Sequence, residues 1–155
     1  MFQGQITSLL GHNGAGKSTT IGMLTGLFPA SEGDAVVHGR SMQAEMKDIR
    51  KIMGVCPQHS VIYKELTVTE HLLLFAALKN VPADQRMAQA ENLIRVVGLT
   101  EKRKQFAAAL SGGQKRKLSV AMAFIGGSRI VYLDEPTSGK TVNCSTLSDS
   151  HSFRG

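Results

Sequence analysis

Apolar positions in this chain recur with two spacings, and the switches between them predict the elements. Residues 5–10, QITSLL, alternate weakly and are rich in side chains that suit strands; the GHNGAGKSTTIGMLTG stretch that follows predicts a loop and then a helix, with Ile21, Leu24 and Phe28 at steps of three and four. GDAVVHG reads as a short strand between glycines, AEMKDIRK as a short helix, and IMGVCP as another strand ended by Pro57. In LTVTEHLLLFAALKN, Thr67 with Glu70 three residues later predicts a capping box, and Val68, Leu72 and Phe75 share a helical face. PADQRMAQAENLIRVVGL places Met87, Ala90, Ile94 and Val97 on one stripe and meets a stop at Gly98. From Ser111 onward, Leu118, Ala121, Met122 and Ile125 again keep helical spacing until a glycine pair, and RIVYLDE, residues 129–135, is an apolar run closed by two acids, as in a strand buried within a parallel sheet. Strands and helices alternate, so the expected fold class is α/β, with residues from about 65 to 125 forming a largely helical lobe.

Three loops carry candidate chemistry. Gly11 to Ser18, GHNGAGKS, satisfies the phosphate-loop spacing G-x-x-x-x-G-K-[ST] after a predicted strand and at the opening of a helix. Backbone N–H groups must converge there on phosphate oxygens, which glycines at 14 and 16 permit, and the helix N-terminus adds positive potential. Lys17 then reaches the outer phosphates and the Ser18 hydroxyl suits magnesium. His12 and Asn13 read as loop filler and turn former. At the end of the last strand, Asp134 suits magnesium held largely through water, and Glu135 a base that polarises the attacking water. A strand ending in acids is common at a solvated edge, so this pair gains meaning from the loop upstream. LSGGQ, residues 110–114, opens a helix with a serine cap and two glycines, a second helix terminus suited to an anion. Gln58, after Pro57 on a loop, is by itself merely a glutamine after a proline.

Composition narrows the picture without redirecting it. With 155 residues and 42% hydrophobic residues the chain holds one domain with a real core. No apolar run approaches the ~18 residues of a membrane span, and the N-terminus lacks a basic leader ahead of an apolar stretch, so secretion is not expected. Two cysteines, Cys56 and Cys144, suit a reducing compartment. The formal charge of +6 is spread over several segments, with runs only three long at Lys102-Arg103-Lys104 and Lys115-Arg116-Lys117, which reads as solvated helix faces ahead of a nucleic-acid surface.

GHNGAGKST, CPQ, LSGGQ and VYLDEPTSG, in this order and spacing, resemble the nucleotide-binding domain of an ATP-binding cassette transporter from about Gln3 to Gly139. The wording between the motifs is similar to the A subfamily, whose members move lipids. The resemblance implies a P-loop NTPase (RecA-like) core with a mostly parallel sheet plus a helical signature lobe. It implies that Gly11, Asn13, Gly14, Ala15, Gly16, Lys17, Ser18 and Thr19 wrap the ATP phosphates, that Ser18, Gln58 and Asp134 serve Mg2+, and that Glu135 and Lys17 are catalytic, Glu135 as the general base and Lys17 on the outer phosphates. Ser111, Gly112, Gly113 and Gln114 are implied to cap the ATP of a second nucleotide-binding domain in a head-to-tail dimer. The loop around Gln58 and Tyr63 is implied to face a transmembrane domain on the cytoplasmic side, and nucleic acid is not expected as a partner.

The chain departs from that pattern at both ends. It starts too near the phosphate loop to hold the adenine-stacking aromatic, and after PTSG the expected aspartate-proline turn and later switch histidine are replaced by KTVNCSTLSDSHSFRG. The expectation is a partial domain over 1–139 and a divergent, flexible tail over 140–155, with no catalytic part for His151. A hydrophobic sheet edge left bare by the missing strand is expected to lower stability.

Overall fold

The computed structural model describes residues 7–12, 14–59 and 61–134. The chain divides into two compact units, Met1–Arg50 and Lys51–Gly155, which are taken separately. The expected tail over 140–155 lies outside the described residues.

In the first unit, α1 spans Lys17–Leu24 and closes at Gly26, whose N–H reaches the Met23 carbonyl (3.0 Å) while Leu27 N–H reaches that of Gly22 (2.8 Å). Two expectations are corrected in this unit. Phe28 lies beyond the helix instead of on its face, with its ring folded over Gly22, where an added Cβ would meet it at 2.6 Å. Residues 7–10 form no strand, and Leu10 is 89% exposed. A strand needs a ladder for its N–H and C=O groups, and the ladder described in this unit belongs to other residues. It joins β1, Val36–Val37, to β2, Arg40–Ser41, antiparallel across a tight turn in which His38 (φ 49°) and Gly39 (φ 77°) are both left-handed. GDAVVHG therefore supplies one arm of a hairpin, not a lone strand. Asp34 fastens the hairpin: its carboxylate accepts from Ser41 Oγ (2.5 Å), Ala35 N–H (2.8 Å) and Gln43 N–H (3.1 Å), and the Ser41 bond leads in lowering its pKa. Helix α2, Met42–Ile52, bends at Glu45 (φ −122°, ψ 24°).

The second unit is built on one parallel pair. β3, Met53–Cys56, lies against β4, Ile130–Leu133, in the register Met53↔Ile130 through Cys56↔Leu133. Between them in sequence come α3 (Val68–Leu78), α4 (Ala83–Val96), two short 3-10 turns (Thr100–Lys102 and Ala107–Ala109) and α5 (Gly112–Phe124). Leu72, Leu118, Val120 and Ile125 are wholly buried in the shared core, each contributing roughly 1.5–3 kcal/mol of transfer free energy. The predicted capping box at Thr67 and Glu70 is present, and Gly98 (φ 68°) follows the end of α4. The α4 stripe is Ala90, Leu93, Ile94 and Val97; Met87 is 47% exposed, because the first turns of α4 run past the core that the later turns cover. β4 ends one residue before Asp134, and Gly54 lets β3 lie directly against the α5 main chain near Ala123.

Candidate functional site

The phosphate-loop glycines adopt the backbone that the spacing calls for. Gly14 has φ 87° and Gly16 φ 84°, a region costly for residues with a Cβ. Ala15 N–H turns back to the His12 carbonyl at 3.1 Å, and Gly11 sits so close that a Cβ there would lie 3.0 Å from that of Ala15. Gly16 is the N-cap of α1; no side chain caps it and no acidic residue stands in the first turn, so the positive end of the helix is not neutralised from within. Ser18 and Thr19 are exposed on that first turn. Lys17 Nζ donates to the carbonyls of Gly11 (2.6 Å) and His12 (2.9 Å), which folds the ammonium over the loop. An ammonium, a free helix N-terminus and a left-handed glycine pair within six residues make a place for a polyanion of phosphate type. Asn13 lies outside the described residues.

In the second unit, strand register brings two other candidates side by side. Asp134 N–H donates to the Cys56 carbonyl at 2.9 Å, extending the β3–β4 ladder by one residue. Asp134 therefore leaves the carboxyl end of β4 beside Pro57 and Gln58, which leave that of β3. Gln58 is exposed and Asp134 half-buried. Glu135 lies outside the described residues.

The signature segment begins α5 as expected, and more tightly than the serine alone suggests. Ser111 Oγ accepts from Gln114 N–H (3.3 Å), and Gln114 Oε1 accepts from Ser111 N–H (2.9 Å), a reciprocal capping box. Ser111 and Gly112 are exposed, and a Cβ on Gly112 would meet nothing within 4 Å. Gly113 and Gln114 are half-buried beside them.

Two residues escaped the sequence reading. Arg116, taken there as part of a solvated basic run, is 4% exposed. Its Nη1 donates to the carbonyls of Pro57 and of Gln58 (3.1 Å), and its Nη2 to the main-chain carbonyl of Asp134. Ser119, Val120 and Ala123 are buried too, so Arg116 heads a second stripe at steps of three and four; that stripe was the available signal. His71, wholly buried on α3, bonds through Nδ1 to the Thr67 carbonyl (2.8 Å) and accepts Tyr63 N–H at Nε2 (3.0 Å), which assigns the proton to Nδ1. The Tyr63 ring stacks on it at 6.1 Å between centroids.

The donor types suit magnesium. Ser18 in the first unit offers a hydroxyl oxygen, and Gln58 and Asp134 in the second offer amide and carboxylate oxygens, each a hard donor of the kind Mg2+ takes. Among the described residues no three of histidine, cysteine, aspartate and glutamate gather into a cluster, the arrangement of an all-protein metal cage. No described helix is long and apolar enough to cross a membrane.

Comparison with known proteins agrees with this geometry. A family model described as ABC transporter matches residues 1–138. The chain is 48% identical over 139 residues to ATP-binding cassette sub-family A member 2 of Rattus norvegicus, covering 90% of this chain and 6% of that protein. It is 48% identical, again over 139 residues, to the phospholipid-transporting ATPase ABCA3 of Mus musculus, covering 90% of this chain and 8% of that one. A solved structure titled as the ATP binding subunit of an ABC transporter superposes with a TM-score of 0.77 at 30% identity, over 89% of this chain and 58% of the other. The chain thus spans less than a tenth of the curated relatives' length.

Proposed function

The chain belongs to the ATP-binding cassette transporter family, and from that premise we propose that it binds ATP with Mg2+ and hydrolyses it as the cytoplasmic cassette of a transporter whose cargo is lipid. The lipid assignment is supported by relatives such as the phospholipid-transporting ATPase ABCA3. The observation that carries the ATP reading is the left-handed Gly14 and Gly16 pair ahead of α1, with the Lys17 ammonium folded onto the same loop.

In this reading Gly11 and Asn13 to Thr19 hold the phosphates through main-chain N–H groups, and Lys17 exchanges its two carbonyl partners for phosphate oxygens. Magnesium, when bound, would supply charge neutralisation for the phosphates. Ser18, Gln58 and Asp134 supply protein oxygens to it, and Glu135 accepts a proton from the attacking water. The segment Ser111 to Gln114 serves the nucleotide of a second nucleotide-binding domain, head to tail. A helix N-terminus set against a bound phosphate favours closure while the charge is present, and hydrolysis removes that attraction. The segment around Gln58 and Tyr63 meets the transmembrane domain from the cytoplasmic side, and nucleic acid is not expected as a partner.

Steady-state phosphate release by the unmodified chain, compared with a Glu135→Gln variant, tests hydrolysis. The account predicts a rate above that of the variant, and equal rates leave hydrolysis without support. The same assay separates a second reading, ATP uptake with little turnover, favoured by KTV standing after PTSG in place of an aspartate-proline turn.

A further inference from the structure

Arg116 stands where three segments of the second unit meet. It lies on the first turns of α5, two residues beyond the Ser111–Gln114 capping box, and its side chain reaches the end of both strands. One arm of the guanidinium, Nη1, takes the carbonyls of Pro57 and Gln58; the other, Nη2, takes that of Asp134. The β3–β4 pairing ends at Cys56 and Leu133, and Asp134 N–H adds its last bond. Past that point Pro57 has no N–H to offer, and the planar fork of Arg116 bridges the two main chains instead. Hydrogen bonds from a cation are about twice as strong as neutral ones, and burial keeps water from competing for them.

We infer that Arg116 is a positioning residue for magnesium: by clamping the main chain of Gln58 to that of Asp134 it sets the spacing of their two side-chain oxygen donors, and it ties that spacing to the start of α5. The inference rests on the ATP and magnesium reading given above. Its chemical logic is that of outer partners of metal ligands, which fix ligand orientation without touching the ion. Lysine cannot replace the fork, because a single ammonium lacks the two planar arms that reach both strand ends.

The test compares the affinity of the full chain for ATP with Mg2+ and for ATP in EDTA, by calorimetry, in the unmodified protein and in Arg116→Lys and Arg116→Met. In the unmodified protein magnesium tightens binding. In the variants that tightening shrinks by about 10–100-fold, while affinity for metal-free ATP, held by the loop before α1, stays unchanged. A folded variant whose two affinities fall together, or one that keeps the full magnesium effect, overturns the inference. Should both variants fail to fold, amide exchange in the unmodified chain decides: adding Mg2+ to the ATP-bound protein slows exchange at residues 58–59 and 112–116 together, and slowing at only one of them overturns the clamp. Absence of any saturable ATP binding by the unmodified chain removes the ATP reading itself. ATP binding that magnesium leaves unaltered keeps that reading and removes the role of Arg116.

Discussion

Replacing Gly54 by alanine offers a sharp test of how the second unit is packed. Gly54 sits in β3 facing α5, and a Cβ built there falls inside the van der Waals envelope of the Ala123 carbonyl oxygen. It also lies 2.8 Å from the Ala123 carbonyl carbon and 3.1 Å from Ser128 Oγ. The obstacle is main chain, so no rotamer change relieves it; α5 must move off the strand. Overpacking of a tight core costs about 1–3 kcal/mol, and an immovable carbonyl places this substitution at the top of that range. With a urea dependence of about 1–3 kcal/mol per molar, a loss of about 3 kcal/mol lowers the unfolding midpoint by roughly 1–3 M. Urea melts followed by far-UV circular dichroism read this directly, with Gly112→Ala as the control, since a methyl there meets nothing within 4 Å. Gly112→Ala should fall within about 0.5 kcal/mol of the unmodified protein. A Gly54→Ala midpoint equal to that of the control would refute the direct contact of β3 with α5.

Thr67→Ala and Ser111→Ala each remove a side-chain cap and should cost about 1 kcal/mol in the same melts. The Thr67 bonds, backbone first and hydroxyl second, hold the Glu70 carboxyl below its usual range. A depressed carboxylate pKa gives stability that is present above the unfolded value and is lost as pH falls through the folded one. Stability should therefore drop on acidification across the usual glutamate range and below, and Glu70→Gln should flatten that limb of a pH-dependent melt. His71→Ala leaves Tyr63 N–H without its acceptor beside a cavity, while the Thr67 carbonyl keeps the backbone N–H of residue 71 (3.1 Å); the unpaired group costs about 1–3 kcal/mol, and limited proteolysis should then cut sooner near residues 61–66.

Much of this arrangement is written locally and was legible. The caps at Thr67 and Ser111, the turn at Gly98 and the left-handed Gly14 and Gly16 are each decided by a few neighbouring residues. What escaped depends on partners far along the chain. Residues 7–10 have strand-like composition, yet composition does not supply the neighbouring ladder a strand requires. The His38-Gly39 turn was taken as a strand end because β2 offers only two residues of pattern. Phe28 continued the spacing of α1, but spacing does not register that Gly26 has already closed the helix. Met87 fitted the α4 stripe, and only the extent of the core on which α4 rests excludes it. Arg116 was the costliest omission, since a charge between two lysines reads as solvent-facing until the carbonyls of Pro57, Gln58 and Asp134 are seen around it. The side chains of Asp134 and Gln58 were identified from motifs, whereas their adjacency follows from the β3–β4 register, which no single segment encodes.

The central claim, that the loop before α1 gathers the phosphates of ATP with Lys17 as its cation, is tested most directly by titrating Mg-ATP into the chain by calorimetry beside a Lys17→Ala variant. The account predicts saturable heat for the unmodified chain and its loss on substitution. Heat indistinguishable from dilution, or identical binding by the two proteins, would contradict it.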